Sequence, residues 1–187
     1  MMMAFESGSR NLEFRPLTMA DAGILFEAIY PYPDLPIFMT WKMPTSPAET
    51  AQKLLSVDTE KNTNFGIFQD GQLIGRALMS NFRYQSAIHK VPSAFVSFWV
   101  LPPFENKGIE EDALKYLTQI GFEEEGLAKI FADIFKTNPL AQKALENEGF
   151  EAIGTLRNHY CKEGLEYDCL RFEKINESFF ENLTESS

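Results

Sequence analysis

The stretch Trp99-Val100-Leu101-Pro102-Pro103-Phe104-Glu105-Asn106-Lys107-Gly108-Ile109-Glu110-Glu111-Asp112-Ala113-Leu114 decides the fold. It begins at the end of an apolar run of strand length, Ala94-Phe95-Val96-Ser97-Phe98-Trp99-Val100, which Pro102-Pro103 stops. After a short polar loop, Ile109, Ala113, Leu117 and Ile120 recur at helical spacing and predict one buried face, with Gly126 capping the far end. A strand passing through a tight loop into a helix aims free backbone N–H groups and the positive end of the helix dipole at one point. That is an anion site suited in principle to a pyrophosphate.

Outward from this unit, Ile130-Phe131-Ala132-Asp133-Ile134-Phe135 reads as the next strand. Asn138-Pro139 then opens a helix, with Asn as cap and Pro at the first position, and Gly149 closes it. A final hairpin pairs Thr155–Cys161 with Tyr167–Phe172. Centred on Glu163-Gly164, it sets Cys161 opposite Glu166 and Cys169 opposite Asn158, out of register for a bridge.

Upstream, Leu12-Glu13-Phe14-Arg15-Pro16-Leu17 alternates like a strand. Thr18 with Asp21 then starts a helix with Ala22, Leu25, Phe26 and Ile29 on its apolar face, stopped by Pro31 and Pro33. Ser46-Pro47-Ala48-Glu49 predicts a capping box and a helix to about Ser56. Phe65–Phe68 and Leu73–Met79 flank Asp70-Gly71, a dipeptide that accepts the positive φ of a tight hairpin turn.

The order β-α-α-β-β-β-α-β-α-β-β calls for an α/β (α+β) domain: a mixed, mostly antiparallel twisted sheet of six to seven strands flanked by about four helices. Residues 11–175 are expected to form one domain, with 1–10 a flexible N-terminus and 176–187 a tail. In that tail Phe179, Phe180 and Leu183 belong either to a docked helix or to a frayed end.

A chain of 187 residues, 44% hydrophobic and with 17 Phe, supplies one good core and is short for two ordinary domains. The net charge of -10 argues against general nucleic-acid binding, which needs clustered Lys and Arg, and tolerates a cationic partner. Two cysteines fit reduced thiols in a cytoplasmic protein, and two cysteines with two histidines show no spacing that would hold a metal. Met1–Arg10 does not read as a signal peptide, and no apolar run has bilayer-spanning length, so no membrane association is expected.

These segments together resemble the GNAT superfamily of N-acetyltransferases, especially its ribosomal-protein N-terminal acetyltransferase branch, over most of the chain. Glu105-Asn106-Lys107-Gly108-Ile109-Glu110, followed by Glu111-Asp112-Ala113-Leu114, stands where that family has Arg/Gln-Gly-x-Gly-x-Gly/Ala and often Thr-Glu-Ala-Leu. Gly108 and Ala113-Leu114 match. Asn138-Pro139-Leu140-Ala141 through Gly149-Phe150 resembles the family's Asn-x-x-Ser to Gly-Phe segment, and Gly154-Thr155-Leu156-Arg157 with Gly164 to Asp168 its closing hairpin. Phe14-Arg15-Pro16-Leu17-Thr18 with Asp21, and Trp41 with Pro44 and Glu49, resemble its front segments. The chain departs at Glu105, Glu110 and Glu111, carboxylates beside the expected anion, each opposing it by about 1 kcal/mol at surface-like dielectric. It departs also at Ala141, where the branch carries Ser, at Leu145, where other branches carry Tyr, and in having no Glu in Phe95–Val100.

The resemblance implies acetyl-coenzyme A as co-substrate, inserted between strands ending near Val100 and Phe135. Backbone groups of Trp99, Val100 and Leu101 would pair with the pantetheine arm. The pyrophosphate would rest on N–H groups of Asn106, Lys107, Gly108, Ile109, Glu110 and Glu111, and Asn138 would face the cofactor. It implies direct attack by a primary amine, a small molecule or a protein N-terminus, in a monomer or homodimer. The alternatives are an inactive binding module on the same fold, or a different acyl donor. Candidate catalytic groups are Ser97, His159 and Tyr160, each with a bland reading as an ordinary strand residue, and His89 has less claim. Phe38, Trp41 and Tyr30-Pro31-Tyr32-Pro33 either line the acceptor entrance or pack the front helices together.

Overall fold

The computed structural model describes residues 10–56, 62–83 and 91–185, with side chains to 182; His89, the first nine residues and the Leu183 side chain lie outside it. Its seven strands are β1 (Leu12–Pro16), β2 (Thr63–Gln69), β3 (Gln72–Arg83), β4 (Ser93–Val100), β5 (Lys129–Phe135), β6 (Glu151–Lys162) and β7 (Leu165–Ile175). They form one sheet in the order β1-β2-β3-β4-β5-β7-β6. Every pairing is antiparallel except β4 with β5. The helices are α1 (Ala22–Ile29), α2 (Pro47–Thr50, continued by a wider turn to Leu55), α3 (Ile109–Gln119), α4 (Pro139–Asn147) and α5 (Glu177–Glu185). The tail residues Phe179 and Phe180 thus lie on a helix.

The sheet has a core on each face. Under α3 and α4 lie Phe14, Ile67, Met79, Val96, Ile130 and Phe172 with Ile109, Leu114, Leu117 and Leu145. Under α1 and α2 lie Leu17, Phe68, Leu73, Trp99 and Leu101 with Leu25, Ile29, Leu54 and Leu55. The expected stripe of α3, Ile109, Ala113, Leu117 and Ile120, is buried throughout, so packing on the sheet rather than helix propensity holds this helix.

Local signals act largely as expected. Asp70 (φ 50°) and Gly71 (φ 79°) turn the β2–β3 hairpin, and the Asn138 side chain accepts from the Ala141 N–H at 3.1 Å. Two details differ. Glu49 does not close a capping box on Ser46: its carboxylate accepts from the N–H and hydroxyl of Thr45, one residue further back, and pairs with Lys53. In the final hairpin Cys161 faces Glu166, but Cys169 faces Leu156 rather than Asn158. Register slips between Leu156 and Tyr160, where Asn158 takes φ 48° and its N–H donates to the Asp168 carboxylate at 3.0 Å. A bulge of this kind leaves no trace in simple alternation. Both thiols are free, Cys161 exposed and Cys169 buried.

The backbone of β3 lies close against β4 at Gly75, where an added Cβ would sit 2.6 Å from the Trp99 carbonyl oxygen. Gly75→Ala is therefore expected to cost about 1–3 kcal/mol, read as a lower urea midpoint at unchanged m-value.

Candidate functional site

Parallel pairing of β4 with β5 covers only Ser93–Lys129, Ala94–Ile130 and Phe95–Phe131. Pro92 holds this closed end, its carbonyl accepting from the N–H groups of Ala128 and Lys129. Past Phe95 and Phe131 the strands diverge without pairing. The other edge of β4 stays on β3 as far as Gly75–Val100, and the Leu101 N–H donates to the Ile74 carbonyl at 2.7 Å. In an antiparallel pair alternate residues point their backbone groups to opposite edges. Leu101 and Trp99 therefore spend theirs on β3, while Val100, Phe98 and Val96 turn theirs to the open split.

Two cavities meet at this split. The first, about 450 Å³, lies between Phe98, Trp99, Val100, Glu110, Asn138 and Ala141 on one side and Pro31–Leu35 with Ile37–Met39 on the other. The second, about 700 Å³, shares Phe38, Met39, Phe98, Trp99, Asn138 and Ala141 with the first. It extends over Arg76, Arg83, Ser97, Asp133, Tyr160 and Arg171. Of the front-segment aromatics, Trp41 and Tyr32 both pack in the front core and line these cavities. Trp41 packs on Trp99, ring centroids 6.3 Å apart, and also lines the second cavity. Tyr32 joins the front core and lines the first, whereas Tyr30 is exposed.

The loop before α3 is braced from behind. Arg10 donates to the Lys107 carbonyl at 2.9 Å and pairs with Asp112 at 2.7 Å. Gly108 needs its φ of 78°, and a Cβ there would meet the Arg10 guanidinium at 3.0 Å. Lys107 lies over the Phe104 ring. The three loop acids part company: Glu111 accepts from Asn147 on α4, Glu105 lines the first cavity, and Glu110 folds back over the start of α3. There Glu110 is 9% exposed, takes the Asn106 N–H at 3.4 Å with one oxygen and leaves the other buried without a partner. Burial raises its pKa. Beside it a groove of about 130 Å³ is lined by Asn106, Gly108, Glu110, Glu111 and, from α4, Lys143.

Of the candidate catalytic groups, Ser97 and Tyr160 line the second cavity, while His159 is exposed on the bulge, edge-on to Tyr160. Tyr160 stacks on Phe135. Burial, with Cys169 and Asp133 adding, pushes its phenol up to about 12. It therefore stays protonated across the physiological range.

Sequence reasoning passed over four cations here: Arg10, Arg76, Lys143 and Lys162. Lys162, beside the Glu163-Gly164 turn, donates to the carbonyls of Pro36, Ile37 and Met39. It thereby docks the last hairpin on the segment that walls both cavities. Nothing in its local sequence separates it from a solvated lysine, because its partners lie more than a hundred residues away.

The sheet is split at its single parallel junction, and two cavities meet at that split. A model of the acetyltransferase (GNAT) domain matches residues 11–151, and the chain belongs to this family. It is similar to an uncharacterized N-acetyltransferase, YoaA, of Bacillus subtilis (strain 168), 24% identical over 93 residues. That match covers 50% of this chain and spans about half, 52%, of the relative. Among solved structures it is similar to a ribosomal-protein alpha-N-acetyltransferase, RimL, in complex with coenzyme A (TM-score 0.76, 16% identity, 91% of this chain and 97% of that one). It is also similar to the spermidine N-acetyltransferase of Vibrio cholerae in complex with CoA and spermine (TM-score 0.75, 19% identity, 91% and 98%). Among the described residues no helix is long and apolar enough to cross a membrane.

Lys162→Met should free three carbonyls from a charged donor and cost about 1–3 kcal/mol. Hydrogen exchange should report it as faster amide exchange over residues 35–41, with β5 unchanged.

Proposed function

We propose that this chain is an N-acetyltransferase that uses acetyl-coenzyme A and transfers the acetyl group to a primary amine by direct attack. The observation that carries this reading is the split between β4 and β5 joining two cavities, one reaching the start of α3 and one reaching Tyr160. The solved relatives with coenzyme A support it by analogy of fold.

The split fits an extended amide-containing arm, since Val100 and Phe98 turn backbone groups into it. Asn106, Lys107, Gly108, Ile109, Glu110 and Glu111 offer the loop and first-turn amides to a pyrophosphate, with Lys143 at the groove's edge. Glu110 must yield for that fit, because its carboxylate lies over the helix start and takes the Asn106 N–H. Asn138 borders both cavities while its side chain caps α4. Acetyl-coenzyme A would supply an activated acetyl thioester.

The acceptor's nitrogen bonds to the acetyl carbon as the carbon–sulfur bond breaks. Tyr160, held protonated, donates to the departing sulfur and is reprotonated from water, while the amine's proton leaves through water in the open second cavity. Positioning supplies most of the acceleration. Glu110 also favours a second reading, a GNAT-fold binding module whose anion site is filled by its own carboxylate.

Thermal unfolding with and without acetyl-coenzyme A separates the two readings. At about a hundred times its dissociation constant a ligand stabilises by roughly 2.7 kcal/mol, a rise of about 5–11 °C for a chain of this size. No shift at millimolar ligand would leave the binding module.

Glu110→Gln should tighten binding about fivefold by removing one close carboxylate–phosphate repulsion of about 1 kcal/mol. The sign with pH follows from the raised pKa of Glu110. Protonation as pH falls toward that raised pKa removes the repulsion, so affinity should rise as pH is lowered in the wild type and stay flat in Glu110→Gln, by calorimetric titration.

A further inference from the structure

The second cavity is cationic in a chain whose net charge is -10. Its charged wall consists of Lys53, Arg76, Arg83, Asp133 and Arg171. Asp133 is neutralised by Arg171 through two bonds of 2.7 and 2.6 Å, and Lys53 is paired with Glu49. Arg76 and Arg83 are left, and among the described residues no carboxylate pairs with either.

Arg76 is 6% exposed. Its Nε donates to the Asn64 side-chain oxygen and its Nη2 to the Leu54 carbonyl, both at 2.7 Å. These are dipoles, not charges, and burial pulls its guanidinium down to about 10, still cationic at neutral pH. Directly across from it on β4 stands Trp99, so the two side chains share one face of the sheet. Trp99 is 5% exposed and its indole N–H has no partner. Among the described residues, a buried cation without a paired carboxylate and a buried N–H without an acceptor, on cross-strand neighbours that both line this cavity, are two costs that a single anionic group would relieve.

We infer that the acceptor amine carries a carboxylate, received by Arg76 and the Trp99 indole, with Arg83 at the rim. This rests on the acetyltransferase reading and names its substrate class. A polyamine is disfavoured by the same wall, since each further ammonium would face Arg76 and Arg83. The cations also lower the pKa of a nearby amine and so favour its attacking, neutral form. They thereby take over part of the task of a side-chain base.

The test is an acceptor panel with saturating acetyl-coenzyme A, read by released thiol: aspartate and glutamate, short peptides beginning with Asp or Glu, ethanolamine, and spermidine. Carboxylate-bearing amines should lead in kcat/KM by about a hundredfold, because a site built for a polar group rejects analogues lacking it. Turnover of the free amino acids identifies a metabolite-sized acceptor, and turnover of the peptides alone an acidic N-terminus. Trp99→Phe, which keeps the ring, should cut the preference about tenfold through KM. Arg83→Ala should weaken its dependence on salt.

Spermidine or ethanolamine as the better acceptor overturns the inference, as does a preference untouched in Trp99→Phe. Should acetyl-coenzyme A itself fail to bind, the enzyme reading falls separately. Melting with N-acetylaspartate alone then decides the anion pocket: a rise in the wild type that is lost in Trp99→Phe upholds it, and no rise overturns it.

Discussion

The structure depends on how briefly β4 and β5 stay together. Three residue pairs and two hydrogen bonds to the Pro92 carbonyl hold one end, and beyond them each strand keeps its outer neighbour while losing its inner one. β4 cannot close the gap because its other edge is committed to β3 as far as Leu101. β5 cannot close it because β7 pairs along its whole length, from Lys129–Ile175 to Phe135–Cys169. The gap is therefore a property of the entire sheet, and α3 and α4 are placed by the two strands that form it.

The parts around the gap are tied across long stretches of chain. Arg10 braces the loop before α3, and Lys162 pins the front segment to the last hairpin. Each bond is partly exposed and modest by itself. Their value is geometric, since each joins a wall of the split to an element formed elsewhere in the sequence.

Charge is distributed against the grain of the whole molecule. An acidic chain sets a buried cation, Arg76, on the wall of the second cavity and a carboxylate, Glu110, over the start of α3. Glu110 suits a helix N-terminus as such, yet its orphaned oxygen shows that the helix alone does not satisfy it. The sum of charges over the sequence therefore predicts neither cavity, since local field depends on burial and on which charges are paired.

Much of the fold was legible from local rules: element order, the Asp70-Gly71 turn, the Asn138 cap and the buried stripe of α3 all follow from period and turn chemistry. The family resemblance led to the region of the split, and Trp99, Val100, Asn138, Ser97 and Tyr160 do border its cavities. Local rules failed where a partner is distant. The Asn158 bulge, the reach of Glu49 to Thr45 and the docking of Lys162 depend on geometry that only the assembled chain supplies. Ser97 lies on the cavity wall and His159 outside it, a difference invisible to alternation, which does not say which strand becomes an edge. By itself the sequence determined the elements and their order, since φ preferences and hydrophobic period act over a few residues. Only the tertiary structure decided which amides face the split, where Glu110 lies and that Arg76 meets Trp99, because those contacts join residues brought together by the sheet.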